Sequence, residues 1–176
     1  MATDADVAAA RQGDPQALER LAQEIWPLAY RVALAVLADR DAAQDAAQDA
    51  VVSSLRALPG LRSAAALPAY ARRTAARLAH GEVQRAQRER PTDQLLAAPS
   101  FIGEDLLELR RAIAAMAAED RIPLLLYYGA GLTSFEIGEA LGIAATAVRF
   151  RLMRAKDRLR RELSNAAEGD VRNAAR

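Results

Sequence analysis

The sequence predicts an all-α protein built from two small helical domains. Of its 176 residues 43 are alanine, the strongest helix former. Glycine and proline are concentrated at a few positions, which separate long segments of helical period. We find no alternating apolar and polar run flanked by hairpin turns, which a strand would need. The composition, 52% hydrophobic and 27% charged, is that of a globular chain.

A segment without periodicity divides the chain. Residues 90–103 contain Pro91, Pro99, a serine and a threonine and show little periodicity, which predicts a flexible linker. The predicted domains are therefore residues 1–89 and residues 104–163. A polar C-terminal tail, residues 164–176, follows the second domain.

The most informative helix of the first domain is predicted over residues 41–58. Ala47, Val51, Leu55 and Leu58 line one face as an apolar stripe. The other face carries acidic and amide side chains and one valine: Asp41, Asp45, Gln48, Asp49 and Val52. Such a stripe suits docking onto a basic partner surface, although a solvated face is the more common explanation. The residues alone leave both interpretations open.

In the second domain one helix is predicted around Leu109 to Met116 and another around Ile122 to Tyr128. Pro123 is tolerated only in the first turn of a helix, where its missing N–H costs nothing. We therefore expect Asp120 to be the N-cap of that helix.

Residues 132–145 predict a helix-turn-helix. Thr133 and Glu136 form a capping box, so a helix should begin there. Gly142 supplies a left-handed stop, and a second helix should begin near Ala145.

The second helix combines an apolar stripe with a basic face. The stripe is Val148, Leu152, Ala155, Leu159 and Leu163, and the basic side chains are Arg149, Arg151, Arg154, Lys156, Arg158, Arg160 and Arg161. An αα-hairpin with a solvated basic face would have the same pattern. The capping box, glycine turn and basic helix together favour DNA recognition in the major groove.

The net charge of +1 conceals an uneven distribution. Residues 64–90 carry +4 and residues 146–163 carry +5, and the segments between and before them are acidic. Each domain thus has a basic patch on its last helix.

Several classes of function have little support. The chain has no cysteine and one histidine, His80, so we expect no metal site, no cofactor and no catalytic dyad, and an enzyme is disfavoured. No apolar run is long enough for a membrane span, and the N-terminus with Asp4 and Asp6 does not resemble a signal peptide. The expected location is the cytoplasm, without a membrane partner.

Here the sequence resembles a known family. The run Gln44 to Asp49 resembles the E-D-x-x-Q-E core of region 2 in bacterial sigma factors of the extracytoplasmic-function (ECF) group, and the helix-turn-helix resembles their region 4. Residues 69–75 lie where that family has W-L-Y-R-I-A. Arg121 and the three leucines from Leu124 match its P-x-x-x-R-x-x-L-L-L-x-Y segment. The resemblance covers nearly the whole chain in the right order.

The resemblance implies a promoter-specificity subunit of RNA polymerase. Region 2 of such proteins docks on the β′ clamp helices of core polymerase and opens the −10 element; region 4 contacts the β flap and reads the −35 element. By position, the residues facing core enzyme would be Asp41, Asp45, Gln48, Asp49 and Val52. Those near −10 DNA would be Arg62, Ser63, Tyr70, Arg72, Arg73 and Arg77, and those near −35 DNA Thr133, Thr146, Arg149, Phe150, Arg151 and Arg154. An anti-sigma factor is a further partner that the resemblance implies.

The chain departs from the family pattern where strands are opened. Leu61, Leu67 and Ala71 stand where aromatic or large residues are common, and Tyr70 replaces the usual Trp. Aromatic faces stabilise exposed bases by about 1–3 kcal/mol each. A helix-turn-helix regulator, or a sigma-like protein that binds DNA or polymerase without opening promoters, is therefore the alternative.

Overall fold

The computed structural model describes residues 3–89 and 106–174, with side chains as far as Ser164. Within these residues the secondary structure is helical, which confirms the predicted all-α class. The first domain contains α1 (Asp4–Arg11), α2 (Pro15–Leu37), α3 (Arg40–Arg56), a 3-10 turn (Leu58–Gly60) and α4 (Ala66–Glu89). The second contains α5 (Leu107–Ala114), α6 (Ala118–Leu124), a π-helical turn (Leu125–Gly129), α7 (Ser134–Leu141) and α8 (Ala145–Ala174). The predicted linker, residues 90–103, lies outside the described residues.

Side-chain caps set the first three helix starts. Thr3 and Asp6 form a capping box at α1, and Asp14 and Asp39 cap α2 and α3. The hydrogen bond from the Thr3 hydroxyl, followed by that from Arg20, lowers the pKa of Asp6 to about 2. These caps supply acceptors for backbone N–H groups that the first helical turn leaves without partners.

Helices α2, α3 and α4 pack against one another as the body of the first domain. Many of the buried positions between them are alanines, which let helix axes approach closely, and Leu21, Ile25 and Val32 fill the remaining space. α1 is attached by its side chains: Arg11 donates to the carbonyls of Leu58 at 3.0 Å and Leu61 at 2.5 Å. This packing leaves the outer face of α3 exposed.

The predicted N-cap at Asp120 is wrong. The N-cap is Ala117 and α6 begins at Ala118, three residues earlier than predicted, and Pro123 lies near its C-terminal end. A proline there cannot donate to the carbonyl of Glu119, four residues back. Arg151 of α8 donates to that carbonyl instead, at 3.3 Å, and the chain continues into the π-helical turn. The break that proline imposes is thus compensated from α8, and no first-turn placement is needed.

The two domains pack against each other. α7 lies on α4, and the π-helical turn lies on α2. Buried side chains from both domains, including Leu126 and Ile137 from the second, form one contiguous apolar core. α8 continues as a helix to Ala174, so the backbone of the predicted polar tail is helical as far as it is described.

Candidate nucleic-acid interface

The predicted polymerase-docking face lies on the outer side of α3. Its members, all exposed, are Asp41, Asp45, Gln48, Asp49 and Val52. None of the four polar side chains makes a hydrogen bond or ion pair with another described residue. The opposite side of α3 is buried through Ala43, Ala47 and Ala50. α3 therefore presents an acidic strip without internal neutralisation, a surface that suits a basic partner.

The predicted −10 residues fall into an exposed and a covered group. Arg62 and Ser63, which precede α4, are exposed, as is Arg77 on α4 itself. The covered group, Tyr70, Arg72 and Arg73, is half-buried. The Arg73 guanidinium lies 5.7 Å from the centre of the Tyr70 ring, within the range of a cation–π contact.

Carboxylates of α7 pair with the two arginines of the covered group. Arg73 Nη1 lies 2.6 Å from Glu139 Oε2, and Arg72 Nη2 lies 3.8 Å from Glu136 Oε1. Burial alone would raise the pKa of Glu136. The hydrogen bonds from the backbone and hydroxyl of Thr133 and the charges of both arginines outweigh burial, and the net pKa is lowered. Glu136 is thus ionised at neutral pH and available to these cations.

The helix-turn-helix has the predicted geometry. The backbone N–H of Glu136 donates to Thr133 Oγ1 at 3.2 Å, and Thr133 N–H donates to Glu136 Oε2 at 2.8 Å, so the capping box is confirmed. Gly142 has φ of 69°, the left-handed stop that was predicted. A Cβ added at Gly138 would lie 2.7 Å from the carbonyl oxygen of Ile143, so the turn passes directly over this glycine.

The predicted −35 residues divide in the same way. Thr133, Thr146, Arg149 and Phe150 are exposed, and Arg149 has no hydrogen bond or ion pair to another described residue. A guanidinium without such a partner can donate two hydrogen bonds to a phosphate or to the edge of a guanine base.

Arg151 and Arg154 are held by the first turn of α6. Arg151 donates to the Glu119 carbonyl, and Arg154 pairs with Asp120 Oδ1 at 2.5 Å and with Glu119 Oε1 at 3.1 Å. The hydrogen bond that Arg154 donates to the Asp120 carboxylate is the main cause that raises the pKa of Arg154. The Arg154 guanidinium also lies 5.5 Å from the centre of the Phe150 ring. These two arginines therefore connect α8 to the rest of the domain in this conformation.

A cleft lies beside α8 on the exposed side of the second domain. Two tyrosines, three cations and the start of α7 contribute to its lining: Tyr127, Tyr128, Ser134, Arg149, Leu152, Met153, Lys156, Asp157 and Arg160. Tyr128 is 60% exposed and Met153 52%. Basic and aromatic groups thus meet beside Arg149.

Sequence reasoning missed the carboxylates that pair with these arginines: Glu119, Asp120, Glu136 and Glu139. The sequence does show acidic segments beside the basic patches. It contains no local pattern that tells which carboxylate pairs with which arginine, because the partners are 34 residues apart in one pair and 66 in another.

His80 on α4 is partly buried and near enough to Arg151 of the other domain to be affected by its charge. Burial, and then the charge of Arg151 on α8, lowers its pKa from the usual 6.5. Gln84 lies within hydrogen-bond distance of His80 Nε2, at 2.9 Å, and Nδ1 is buried. Protonation of this imidazole is therefore less favourable in the folded chain than in the unfolded chain.

His80 provides a pH test of this contact. Because its pKa is depressed on folding, the folded state binds fewer protons than the unfolded state as the pH falls below about 6.5. We expect stability to be lost as the pH falls from 6.5 towards the lowered pKa and retained above 6.5. The single histidine gives one Hε1 NMR signal, whose midpoint should lie below 6.5 and rise in Arg151→Ala. A midpoint at or above 6.5 in the wild type would contradict the buried position.

The described part of the chain contains neither a candidate metal site nor a candidate membrane span. No group of three His, Cys, Asp or Glu residues there could hold a metal ion. No helix among the described ranges is long and apolar enough to cross a membrane.

Two family descriptions match the chain. Residues 21–89 match Sigma-70 region 2, and residues 106–159 match Sigma-70, region 4. A relative from Xanthomonas campestris pv. campestris, described as a probable RNA polymerase sigma factor RfaY, is 29% identical over 94% of this chain. The chain spans 45% of the length of that relative.

Two solved structures have similar folds. The sigma factor RpoE of Bartonella quintana, determined with the anti-sigma factor NepR, has a TM-score of 0.61 at 18% identity, over 83% of this chain and 96% of that one. CnrH, determined with the cytosolic domain of CnrY, has a TM-score of 0.61 at 19% identity, over 94% and 99%. At these identities the similarity concerns the fold.

Proposed function

The chain belongs to the sigma-70 family of RNA polymerase sigma factors, in its extracytoplasmic-function group, and we propose that it binds core RNA polymerase and directs promoter-specific initiation of transcription. The observation that carries this proposal is the pairing of two regions in one chain. An acidic strip without internal partners lies in the part that matches region 2, and a basic helix-turn-helix lies in the part that matches region 4.

In this proposal each face has a separate task. The strip on α3 docks on the β′ clamp helices, α4 and the segment before it hold the −10 element, and α8 enters the major groove at the −35 element. Most of the arginines hold phosphates and set the position of the protein, and few read bases. The second domain also contacts the β flap.

Reconstitution tests the activity. Purified protein is added to core polymerase with promoter fragments from the source genome, and promoter-dependent transcripts and co-elution on gel filtration are measured. We expect both. Absence of a core complex together with absence of initiation at every promoter would overturn the proposal.

The docking face has its own prediction. Asp45→Arg with Gln48→Ala should weaken capture of core polymerase at least about tenfold, because a like charge is placed against a basic partner surface. The helix should remain folded, since both side chains are exposed and make no internal contact. Capture is measured by pull-down at constant salt, with circular dichroism to check the fold.

A matched control is available on α2. Glu19→Arg with Gln23→Ala makes the same two kinds of substitution at exposed positions. It removes only the 3.2 Å hydrogen bond between these side chains, and capture should stay within about twofold of wild type. Equal loss in the two double variants would mean that net charge, and not the α3 face, decides capture.

The alternative function has one supporting observation. Tyr70 is the only aromatic residue from 61 to 74, and it is half-buried beside Arg73. A regulator of this kind binds duplex DNA without core enzyme and leaves it closed. Permanganate reactivity of −10 thymines in the polymerase complex distinguishes the two proposed functions. Reactive thymines support the sigma function, and unreactive thymines together with tight duplex binding support the alternative.

An anti-sigma factor is a further proposed partner. One solved neighbour is a sigma factor determined with an anti-sigma factor, and the other was determined with a second protein's cytosolic domain, which supports such a partner here. A candidate should compete with core polymerase for the chain in a pull-down; one that binds without displacing core would contradict this role.

A protein that binds RNA polymerase must be present where the polymerase is. We therefore propose a cytoplasmic location, which cell fractionation would check.

A further inference from the structure

α1 is hydrogen-bonded to both ends of a short exposed tip, residues 62–63, which the proposed function places at the −10 element. On one side Arg11 Nη2 donates to the carbonyl of Leu61 at 2.5 Å. On the other side the N–H of Ala64 donates to Asp4 Oδ1 at 2.9 Å. Leu61 and Ala64 are the residues next to the tip, so α1 fixes the backbone where it enters the tip and where it leaves it.

The tip lies between the 3-10 turn and α4, in a stretch that forms neither a helix nor a strand. Both of its side chains are exposed, whereas Ala64, directly after it, is buried. Arg11 Nε also donates to the carbonyl of Leu58 at 3.0 Å, so one guanidinium connects the 3-10 turn to the start of the tip. The conformation of the tip therefore depends on a helix that lies 47 to 60 residues earlier in the sequence.

α1 is itself anchored to the rest of the domain. Val7 and Ala10 are buried in the core, and Arg20 of α2 donates to Asp6 Oδ1 from Nε at 3.0 Å and from Nη2 at 2.8 Å. The low pKa of Asp6 keeps this carboxylate ionised at neutral pH. We therefore expect α1 to stay in place when its contacts to the tip are removed.

The family match assigns no role to α1. The residues that match Sigma-70 region 2 begin at residue 21, whereas α1 ends at Arg11. Its contacts to the segment before α4 are nevertheless specific, since a cation meets two carbonyls and a carboxylate meets an N–H. Such charge-assisted hydrogen bonds are stronger and shorter than neutral ones.

The two side chains of the tip differ in how much they depend on the backbone. Arg62 is long and flexible, and a contact with a phosphate carries no sequence information. Ser63 has one side-chain torsion before its hydroxyl, so the backbone decides where that hydroxyl lies. The hydroxyl donates and accepts, and it can pair with the edge of a base. A group that reads a base has to be held to within about 0.5 Å, which Ser63 needs from α1 and Arg62 does not.

We propose that Asp4 and Arg11 are positioning residues, which hold the tip so that the Ser63 hydroxyl discriminates one base of the −10 strand. This proposal rests on the proposed function, because it takes residues 62–63 as −10 contacts. It extends that function by assigning part of the promoter specificity to α1, which acts through the tip. Because the tip is ordered in advance, binding of the −10 strand does not bear the entropy cost of ordering it.

The test uses variants of the full chain, with urea unfolding to check their stability. Asp4→Ala/Arg11→Ala removes both contacts to the tip. Asp4→Asn keeps an oxygen that accepts from the N–H of Ala64. The matched control, Glu19→Ala/Arg31→Ala, also removes one acidic and one basic side chain, at exposed positions of α2.

Two readouts are used. Hydrogen exchange of the Ala64 amide in the free protein should be faster in Asp4→Ala/Arg11→Ala and unchanged in the control. The second readout is the affinity of the complex with core polymerase for single-stranded −10 DNA, with each of the four bases at each position. The ratio of affinities for the preferred base and the other bases measures discrimination.

We expect Asp4→Ala/Arg11→Ala to reduce discrimination at one position at least about fivefold. The affinity for the other bases should stay within about twofold, because the phosphate contacts remain. Asp4→Asn and the control should discriminate within about twofold of wild type. Unchanged exchange of the Ala64 amide, or an equal loss of affinity for every base, would overturn the positioning role.

A double-mutant cycle distinguishes positioning from a general loss of stability. Ser63→Ala should reduce discrimination at the same position. Adding Asp4→Ala/Arg11→Ala to it should change discrimination by less than about twofold, since the hydroxyl that they position is absent. Losses that add in full would contradict the proposal.

Failure of the positioning role and failure of the proposed function give different results. If the wild-type complex prefers one base and the Asp4→Ala/Arg11→Ala complex prefers it as strongly, the positioning role is wrong and the sigma function stands. If wild type captures no core polymerase, or its complex binds no −10 strand, the proposed function fails and the positioning role fails with it.

Discussion

Leu126→Ala should lower the free energy of unfolding by about 3 kcal/mol, because a fully buried leucine is removed from a core that cannot collapse around the gap. Leu126 is 0% exposed in the π-helical turn, and its carbonyl accepts from the N–H of Leu132 at 3.0 Å. The turn is fixed on both sides, by α2 and by the start of the helix-turn-helix. Urea unfolding followed by circular dichroism measures the loss.

An exposed leucine provides the control. Leu107 on α5 is 47% exposed, and Leu107→Ala should change stability by less than about 0.5 kcal/mol. Similar losses in the two variants would mean that the π-helical turn is not part of a shared core. Leu126→Ala should also weaken the contact between the domains, since the same turn carries the packing on α2.

The helix-turn-helix could be predicted because its determinants are local. Thr133 and Glu136, three residues apart, specify where α7 starts. Gly142 specifies where it stops, and neither signal depends on the rest of the chain. The acidic face of α3 is similar, since helical period alone separates Asp45 from Ala47. Its docking role stays a prediction.

The region around Pro123 could not be predicted for the opposite reason. Local rules place a proline in the first turn of a helix, and Asp120 looked like a suitable cap. The structure instead uses Arg151 for the Glu119 carbonyl and Arg154 for the Asp120 carboxylate. Both partners come from more than 30 residues away, and hydrophobic period contains no information about them.

The contact between the domains is the largest feature that the sequence does not predict. Arg72 and Arg73 belong to a basic helix for which the sequence predicts DNA binding, and the residues near them in the chain do not predict an acidic partner. Glu136 was correctly predicted as a capping residue, but its two oxygens have different tasks. Oε2 completes the cap, and Oε1 faces Arg72.

Gly138→Ala should destabilise the second domain by about 2 kcal/mol, although the same change in an open helix is favourable. A Cβ at this position would lie 2.7 Å from the Ile143 carbonyl oxygen and 3.3 Å from the backbone nitrogen of Ala145. Both are backbone atoms of the turn, so α7 and α8 must move apart to admit it. The gain in helix propensity, about 1 kcal/mol, is included in this net loss.

Gly81→Ala in α4 is the matched control, with the opposite sign expected. Gly81 is exposed in a helix, and a Cβ there meets nothing within 4 Å, so alanine should raise stability by about 0.5–1 kcal/mol. Because the proposed polymerase-docking strip lies on α3 in the other domain, we expect Gly138→Ala to lose binding to −35 duplex while keeping the capture of core polymerase that this strip provides. Urea unfolding, duplex binding and core pull-down are measured on both variants. Equal stability of Gly138→Ala and Gly81→Ala would contradict the close passage of the turn over α7. Loss of core capture in Gly138→Ala would contradict the proposed division of tasks between the two domains.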